Sequence, residues 1–385
     1  MKRRYSEINT LEIDSKFRTR NSKLVSNMFD FFKKLVKPNK FLGCDIGTTS
    51  IKMVELERSG SATKLHNYAL LETLGHFERS NNVIQANALK LSERETVSLL
   101  KTLLRKGKFS ADSVVVSIPS FASFTTLIEL PDMNPEETKK TMLYQIQEHV
   151  PLPLSEITVD WTVVGQREDE SGFTKQQILM VAIPNETVER YRGIFKACGL
   201  RLRALEVEML ASTRAVIGTD QTPTVVLDIG ARSTNITVVD QGFVKHNTQI
   251  DYAGDSLTVA IAKGLGINSK RAEELKKQRG LLGGRGEYEL STLEIPFLDV
   301  ILQEADSVRR EYEQNFQNKI QRLMLLGGGA NLLGIEKYAE EKLQTPVVLG
   351  NGLLYVGAPA ELSVVAKELE TRFATAIGLA IKGLL

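Results

Sequence analysis

One phrase occurs twice in this chain, an apolar strand ending in Asp-Ile-Gly and followed by hydroxyl residues. The copies are Phe41-Leu-Gly-Cys-Asp45-Ile-Gly47-Thr48-Thr49-Ser50-Ile-Lys52 and Thr224-Val-Val-Leu-Asp228-Ile-Gly230-Ala-Arg-Ser233-Thr234-Asn235. A strand of this kind delivers a carboxylate to the end of a sheet. It then turns through a glycine whose missing side chain lets backbone N–H groups approach an anion. Two such turns facing one another can hold the phosphates of a nucleotide. Their paired aspartates then address a hydrated magnesium ion rather than caging it.

A third phrase narrows the kind of site. Arg322-Leu-Met-Leu-Leu326-Gly327-Gly328-Gly329-Ala330-Asn331 is another apolar strand, here running into a glycine cluster and then a helix that Asn331 is placed to cap. Three glycines suit a backbone lying flat against a ring. Two phosphate turns followed by a late Gly-Gly-Gly-Ala turn resemble the actin-like ATPase superfamily. That resemblance implies an α/β fold: a duplicated, ribonuclease H-like two-lobe ATPase carrying an inserted small α/β subdomain in its first lobe.

At 385 residues the chain exceeds one ordinary core, so two lobes are expected. A net charge of +2 is too small to argue for a nucleic-acid partner, and no aromatic and basic interleaving suited to reading bases is present, so none is expected. Residues 1–40 depart from this balance, with eleven Lys and Arg against four Asp and Glu. The two cysteines, Cys44 and Cys198, lack metal-type spacing and read as reduced cytosolic thiols. No run approaches the roughly 20 apolar residues of a spanning helix, and the start is not read as a signal peptide.

The expected organisation begins with a mobile basic segment at 1–40. Within it, Val25, Met28, Phe29, Phe32, Leu35 and Val36 share one helical face, with lysines alongside. This short amphipathic helix at 25–37 suits a membrane surface, a partner or the protein's own core. Residues 41–126 and 201–222 form the first lobe, 127–200 the inserted subdomain, 223–265 and 318–385 the second lobe, and 266–317 its helical subdomain. Strands are expected at 51–56, 65–71, 113–118, 157–164 and 177–183. Helices are expected at 93–106, from Asn134-Pro135 to His149, and from Asn185 to Cys198.

A small α/β module this early in the chain is a feature of the FtsA and PilM families. The runs Leu130-Pro131-Asp-Met133, His149-Val-Pro151-Leu-Pro153 and Leu205-Glu206-Val-Glu208-Met-Leu-Ala211 resemble PilM. So do Tyr252-Ala-Gly254-Asp255-Ser-Leu-Thr258, Ala272-Glu273-Glu-Leu-Lys276 and Ala376-Ile-Gly378-Leu-Ala380. The resemblance implies an ATP- and magnesium-binding scaffold of type IV pilus assembly, at the inner face of the inner membrane and serving pilus biogenesis such as twitching motility. Its implied partners are the cytoplasmic N-terminal segment of PilN, held between first lobe and insert, and other pilus components. Self-association is left open.

Site residues follow on that basis. Gly47, Thr48, Thr49, Ser50 and Lys52 face the outer phosphates from one side, and Gly230, Ser233, Thr234 and Asn235 from the other. Arg232, bulkier than the small residues common in such turns, is read as pointing to solvent. Gly254 and Asp255 open a helix whose N–H groups suit a phosphate. Glu273 and Lys276 meet the ribose and base edge, while Gly328, Gly329 and Ala330 pack on adenine. Asp45 and Asp228 hold the magnesium shell through water, and Glu208 orients the attacking water, with Glu206 as a competitor. No arginine finger is identifiable, so slow turnover is expected. Candidates for the groove are Phe121, His149, Pro151 and Trp161, each read as core in the first instance. The alternatives are an FtsA-like division protein, a sugar or acetate kinase, and a binding module without turnover.

Overall fold

Asp45 and Asp228 each lie near the end of a strand that is apolar on both faces, the pattern of a strand covered on two sides. In the computed structural model, residues 39–73, 92–168, 171–282 and 288–385 are described, so the helix expected at 25–37 lies outside them. β1 (Lys40–Ile46), β2 (Ser50–Ser59) and β3 (Ala62–Glu72) form an antiparallel meander. α1 (Glu93–Gly107), started by a Ser92–Glu95 capping box, leads to β4 (Ser113–Ile118), which runs parallel to β1.

The chain then leaves this sheet to build the insert from β5 (Phe124–Pro131), α2 (Pro135–His149), β6 (Ile157–Glu168) and β7 (Thr174–Pro184), with strand order β5-β7-β6. Asn134 caps α2 by accepting from the Glu137 N–H, with Pro135 in the first turn. α3 (Asn185–Ala197) and β8 (Arg201–Val207) return to the first sheet, whose order is β3-β2-β1-β4-β8.

α4 (Glu208–Val216) leads into a second copy of the same plan. β9 (Thr224–Ile229), β10 (Thr234–Asp240) and β11 (Phe243–Ile250) are the meander. α5 (Gly254–Leu265), α6 (Ser269–Arg279) and α7 (Tyr288–Phe316) precede β12 (Arg322–Leu326). α8 (Ile335–Leu343) and β13 (Val347–Leu349) complete a sheet of order β11-β10-β9-β12-β13. The repeat legible in the two Asp-Ile-Gly phrases is thus a repeat of sheet topology. α9 (Ala366–Arg372) and α10 (Ala374–Leu384) end the chain.

Helices cover the outer face of each sheet. Leu100 and Leu103 of α1 and Val188, Tyr191, Ile194 and Phe195 of α3 pack on Leu42, Cys44, Val114 and Val116. On the second sheet, Leu298, Ile301 and Leu302 of α7 and Ile335 and Ala339 of α8 pack on Val225, Leu227 and Ile236. A third core joins the lobes through α4 and α10, with Val54 and Leu56 on one side and Val226, Val239 and Met324 on the other. At about 1.5–3 kcal/mol for each large side chain removed from water, these three layers dominate the stability.

Two boundaries differ from expectation. α3 was expected to close the insert, but its apolar face belongs to the first sheet, because Met142 and Ile146 of α2 already cover the insert's own strands. α10 was expected in the second lobe, yet it lies against β1, β2, β4 and α4. Glycines permit that approach: a Cβ on Gly43 would lie 1.9 Å from the Ala376 carbonyl oxygen, and one on Gly378 would lie 1.8 Å from that of Ala211. Among the described residues no helix is long and apolar enough to cross a membrane.

Candidate functional site

The two turns are built alike. Gly47 N–H donates to the Ser50 carbonyl (2.9 Å), and Gly230 N–H donates to that of Ser233 (3.0 Å). Each turn links the first two strands of its meander, so Asp45 pairs across strands with Lys52, and Asp228 with Asn235. Thr48 and Thr49 occupy the first tip, where the Thr49 carbonyl accepts from Thr73 N–H; Ala231 and Arg232 occupy the second. Ser50 is buried. The Thr234 hydroxyl donates to the Tyr252 carbonyl (2.7 Å).

Asp45 is buried, accepting from the Ser117 hydroxyl (2.9 Å) and from the Lys52 ammonium (3.0 Å). Burial lifts the Asp228 carboxyl to about 6; Lys52 opposes this and Asp45 reinforces it. The two turns are therefore within electrostatic reach of each other. Glu208, the first residue of α4, accepts from the Ser120 N–H of the first lobe (3.0 Å) and the Asn235 amide of the second (2.9 Å). Burial pushes its carboxyl up to about 7 against these two hydrogen bonds, with Asp45 and Asp228 adding to the rise. Beside it, the Ser120 hydroxyl and Asn235 Oδ1 are buried without a hydrogen-bond partner.

The glycine loop adjoins the second turn. Gly327 has φ +79°, and a Cβ there would lie 2.4 Å from Asp228 Oδ1. Gly328 faces open space, Gly329 packs on Ile229, and Ala330 is buried. Asn331 does not cap α8, whose N-cap is Gly334; its amide donates instead to the Thr371 hydroxyl (2.8 Å).

Gly254 opens α5 as expected, but the first N–H groups there are engaged. Gly254 N–H donates to the Gly230 carbonyl (3.1 Å) and Asp255 N–H to that of Ala231 (2.7 Å), so the helix start clamps the turn. Arg232 is half-buried, and its Nε lies 3.7 Å from Asp255 Oδ2. Glu273 and Lys276 pair at 2.6 Å, and both bond the Thr258 hydroxyl. Lys276 also donates to the Gly254 carbonyl (2.8 Å). Burial would raise the Glu273 carboxyl, but Lys276 holds it below its ordinary value.

Glu206 stands apart from this cluster. It is buried and accepts from both terminal nitrogens of Arg214 (2.6 Å each) and from Lys382 (2.9 Å). Those cations outweigh burial and hold its carboxyl at about 2, so it stays ionised as a structural group. The pocket it borders is lined by Trp161, Val164 and Leu179 of the insert, Leu210 of α4 and Phe243 of β11. His149 and Pro151 are exposed and Phe121 is half-buried. Among the described residues, no group of three or more His, Cys, Asp or Glu side chains is spaced to hold a metal ion directly.

Ser117 and Ser120 were not singled out from sequence. Each acts by position in the fold, and no local pattern marks it.

The sequence model of the family described as type IV pilus assembly protein PilM matches residues 43–384. The cell division protein FtsA of Neisseria meningitidis serogroup B is 26% identical over 216 residues, 50% of this chain and 50% of that protein. FtsA of Pseudomonas aeruginosa is 29% identical over 181 residues, covering 40% of this chain and 42% of that one. The chain thus spans about half the length of the curated relatives it matches, or less. Among solved structures, a PilM–PilN type IV pilus biogenesis complex aligns with TM-score 0.76 at 22% identity, covering 91% of this chain and 100% of that one. The ethanolamine utilization protein EutJ of Carboxydothermus hydrogenoformans aligns with TM-score 0.52 at 16% identity, covering 90% of each. These likenesses establish the actin-like two-lobe fold.

Proposed function

This chain belongs to the type IV pilus assembly protein PilM family, and from that premise we propose that it is a cytoplasmic ATP- and magnesium-binding scaffold of a pilus machine. It stands at the inner face of the inner membrane and receives the N-terminal cytoplasmic segment of PilN. The observation that carries the nucleotide reading is Glu208, hydrogen-bonded to both lobes and electrostatically coupled to Asp45 and Asp228.

The residues fit the ligand. Facing acids at two strand ends suit a hydrated divalent cation, the unpartnered Ser120 hydroxyl and Asn235 Oδ1 leave polar atoms for water or ligand, and Gly328 leaves open space for a ring. Gly47, Thr48, Thr49, Ser50 and Lys52 would hold the phosphates opposite Gly230, Ser233, Thr234 and Asn235. Gly254 and Asp255 brace that second turn, Glu273 and Lys276 serve the ribose, and Gly328, Gly329 and Ala330 take adenine. Asp45 and Asp228 would hold magnesium through water; when bound, the ion neutralises phosphate charge. With a carboxyl near 7, Glu208 is poised to orient a water and accept its proton at Oε1 or Oε2. Turnover is slow on this reading, and the nucleotide acts chiefly to set the width of the cleft.

The apolar pocket between first lobe, insert and the β10–β11 hairpin suits an extended segment that fills it with alternate side chains. Trp161, the chain's single tryptophan, lines it. Two titrations test the proposal. Adding a peptide of the PilN N-terminal segment should shift Trp161 emission in a saturable way. Asp228→Ala should lose magnesium-dependent ATP binding while keeping its circular dichroism. An unmoved tryptophan signal with no peptide binding, or full ATP affinity in the variant, would overturn the corresponding half.

A further inference from the structure

One buried acid takes no part in the cluster at the two turns. Glu294 of α7 is 0% exposed, and neither of its carboxyl oxygens has a hydrogen-bond partner. Other buried acids are engaged: Asp45 accepts from Ser117 and Lys52, Glu55 from the Ser110 and Ala111 N–H groups, and Glu206 from Arg214 and Lys382. A buried carboxylate without a partner is costly, and burial accordingly lifts the Glu294 carboxyl to about 7. Among the described residues, the charged group that acts on it is Lys276, which pulls the other way.

Helix packing puts these two residues at one level. Leu293 of α7 meets Gly264 near the end of α5, where an added Cβ would lie 2.6 Å from it, and the Phe297 ring lies 6.4 Å from that of Tyr252 just before α5 begins. α7 therefore runs antiparallel to α5. α6 does the same: Ala272 packs with Ile261 and Leu290, and Lys276, one turn later, bonds the Thr258 hydroxyl and the Gly254 carbonyl. One turn beyond Ala272 and Leu290, Lys276 and Glu294 are thus level with each other and with Thr258. The Lys276 ammonium has three protons to donate, and Glu273 Oε2 (2.6 Å), Thr258 (2.8 Å) and Gly254 (2.8 Å) take them. A ribose diol on Glu273 needs both carboxylate oxygens, and Oε2 is the one that Lys276 and Thr258 now share.

We propose that Glu294 is a positioning residue for Lys276, receiving its ammonium when a ribose diol displaces it from Glu273. Glu294 gives up its proton to solvent as the ammonium arrives, and each buried charge then has its counter-ion. The new pair keeps Lys276 beside the Gly254 carbonyl, and so beside the turn that α5 clamps through the Gly254 and Asp255 N–H groups. Glu294 touches no ligand and acts through Lys276. This assignment rests on the nucleotide reading of the cleft.

The test is affinity rather than turnover. A non-hydrolysable ATP analogue and its 2′,3′-dideoxy counterpart, each with magnesium, are titrated into the native chain, Glu294→Gln and Glu294→Met, with melting temperature recorded for each. Both variants should weaken the ribose analogue roughly five- to tenfold and leave the dideoxy analogue within about twofold. Glu294→Met should melt no lower than the native chain, since an apolar side chain replaces an unpartnered buried acid, which separates the loss from misfolding. An equal loss on both analogues, or no loss on either, overturns the role of Glu294 while leaving the nucleotide site standing. A native chain that binds the two analogues equally overturns the ribose contact of Glu273 and this assignment with it. A native chain that binds neither overturns the nucleotide site and this assignment together.

Discussion

At the scale of single residues, Asp45, Asp228 and Glu208 lie within electrostatic reach of one another beside the two turns. Glu208 is lifted to about 7 and Asp228 to about 6, first by burial and then by mutual repulsion with Asp45. Their unfolded values lie near 4, so between about pH 4 and 7 the folded chain binds protons that the unfolded chain does not. Stability from this source is present below pH 4 and is lost as pH rises through 6 and 7. Glu208→Gln keeps an oxygen for the Ser120 N–H and removes the titration. In urea denaturation without nucleotide, it should be more stable than the native chain at pH 7.5, by up to roughly 3 kcal/mol before solvent screening of this half-buried group. The two should converge near pH 4, and a constant difference at both values would refute this. Both Asp-Ile-Gly phrases and Glu208 were legible because each sits where an apolar strand stops. Ser117 and Ser120 were not, since Ser117 reaches Asp45 only through the parallel register of β1 and β4 and Ser120 meets Glu208 only through the turn after β4. Glu206 and Glu208 look alike two residues apart, and only Arg214 and Lys382, brought in by folding, separate their roles.

Among elements, the packing of α10 is the sharpest constraint. Gly378 meets the Ala211 carbonyl of α4, and Gly43 of β1 meets the Ala376 carbonyl, so three elements touch backbone to backbone. Gly378→Ala brings two opposed effects. Replacing a mid-helix glycine gains up to about 1 kcal/mol of helix propensity, while a Cβ 1.8 Å from an oxygen forces α10 off α4. Overpacking of that kind costs typically 1–3 kcal/mol and more where backbone must move, so the sign is destabilising. Calorimetry should show a melting temperature several degrees lower in Gly378→Ala; an equal or higher one would mean that α10 docks less closely than this. The alternation of strands and helices was legible from residue 41 onward, because apolar runs and caps such as Asn134-Pro135 are local signals. The docking of α3 and α10 was not. An apolar face announces that a helix is covered, and says nothing of which sheet covers it.

Across the whole molecule, the insert is riveted to the second lobe by a buried lysine. The β10–β11 ribbon runs from the second Asp-Ile-Gly turn, where Thr234 pairs with Ile250, to Phe243 at the apolar pocket. Lys245 leaves this ribbon for the insert and donates to the Val164 carbonyl (2.7 Å) and Gln177 Oε1 (2.8 Å). Val164 sits at an irregularity in the β6–β7 register, and Gly165 leaves room, since a Cβ there would lie 2.5 Å from the ammonium. Burial brings the ammonium down to about 8, against the pull of Asp240 and Glu129. An ordinary lysine titrates near 10.4. Below pH 8 folding therefore bears the full cost of burying the charge, and between 8 and 10 the unfolded chain binds the extra proton, so native stability should rise with pH by up to about 3 kcal/mol. Lys245→Met abolishes that rise. It also leaves two buried acceptors without donors, about 1–3 kcal/mol each, while removing a buried charge, so global stability at pH 7.5 should change little. The discriminating readout is local: hydrogen exchange of the β5, β6 and β7 amides should quicken in Lys245→Met while that of β9 and β12 holds. Unchanged protection in the insert would mean that the apolar contacts around Leu179 and Val244 hold it to the second lobe without the lysine.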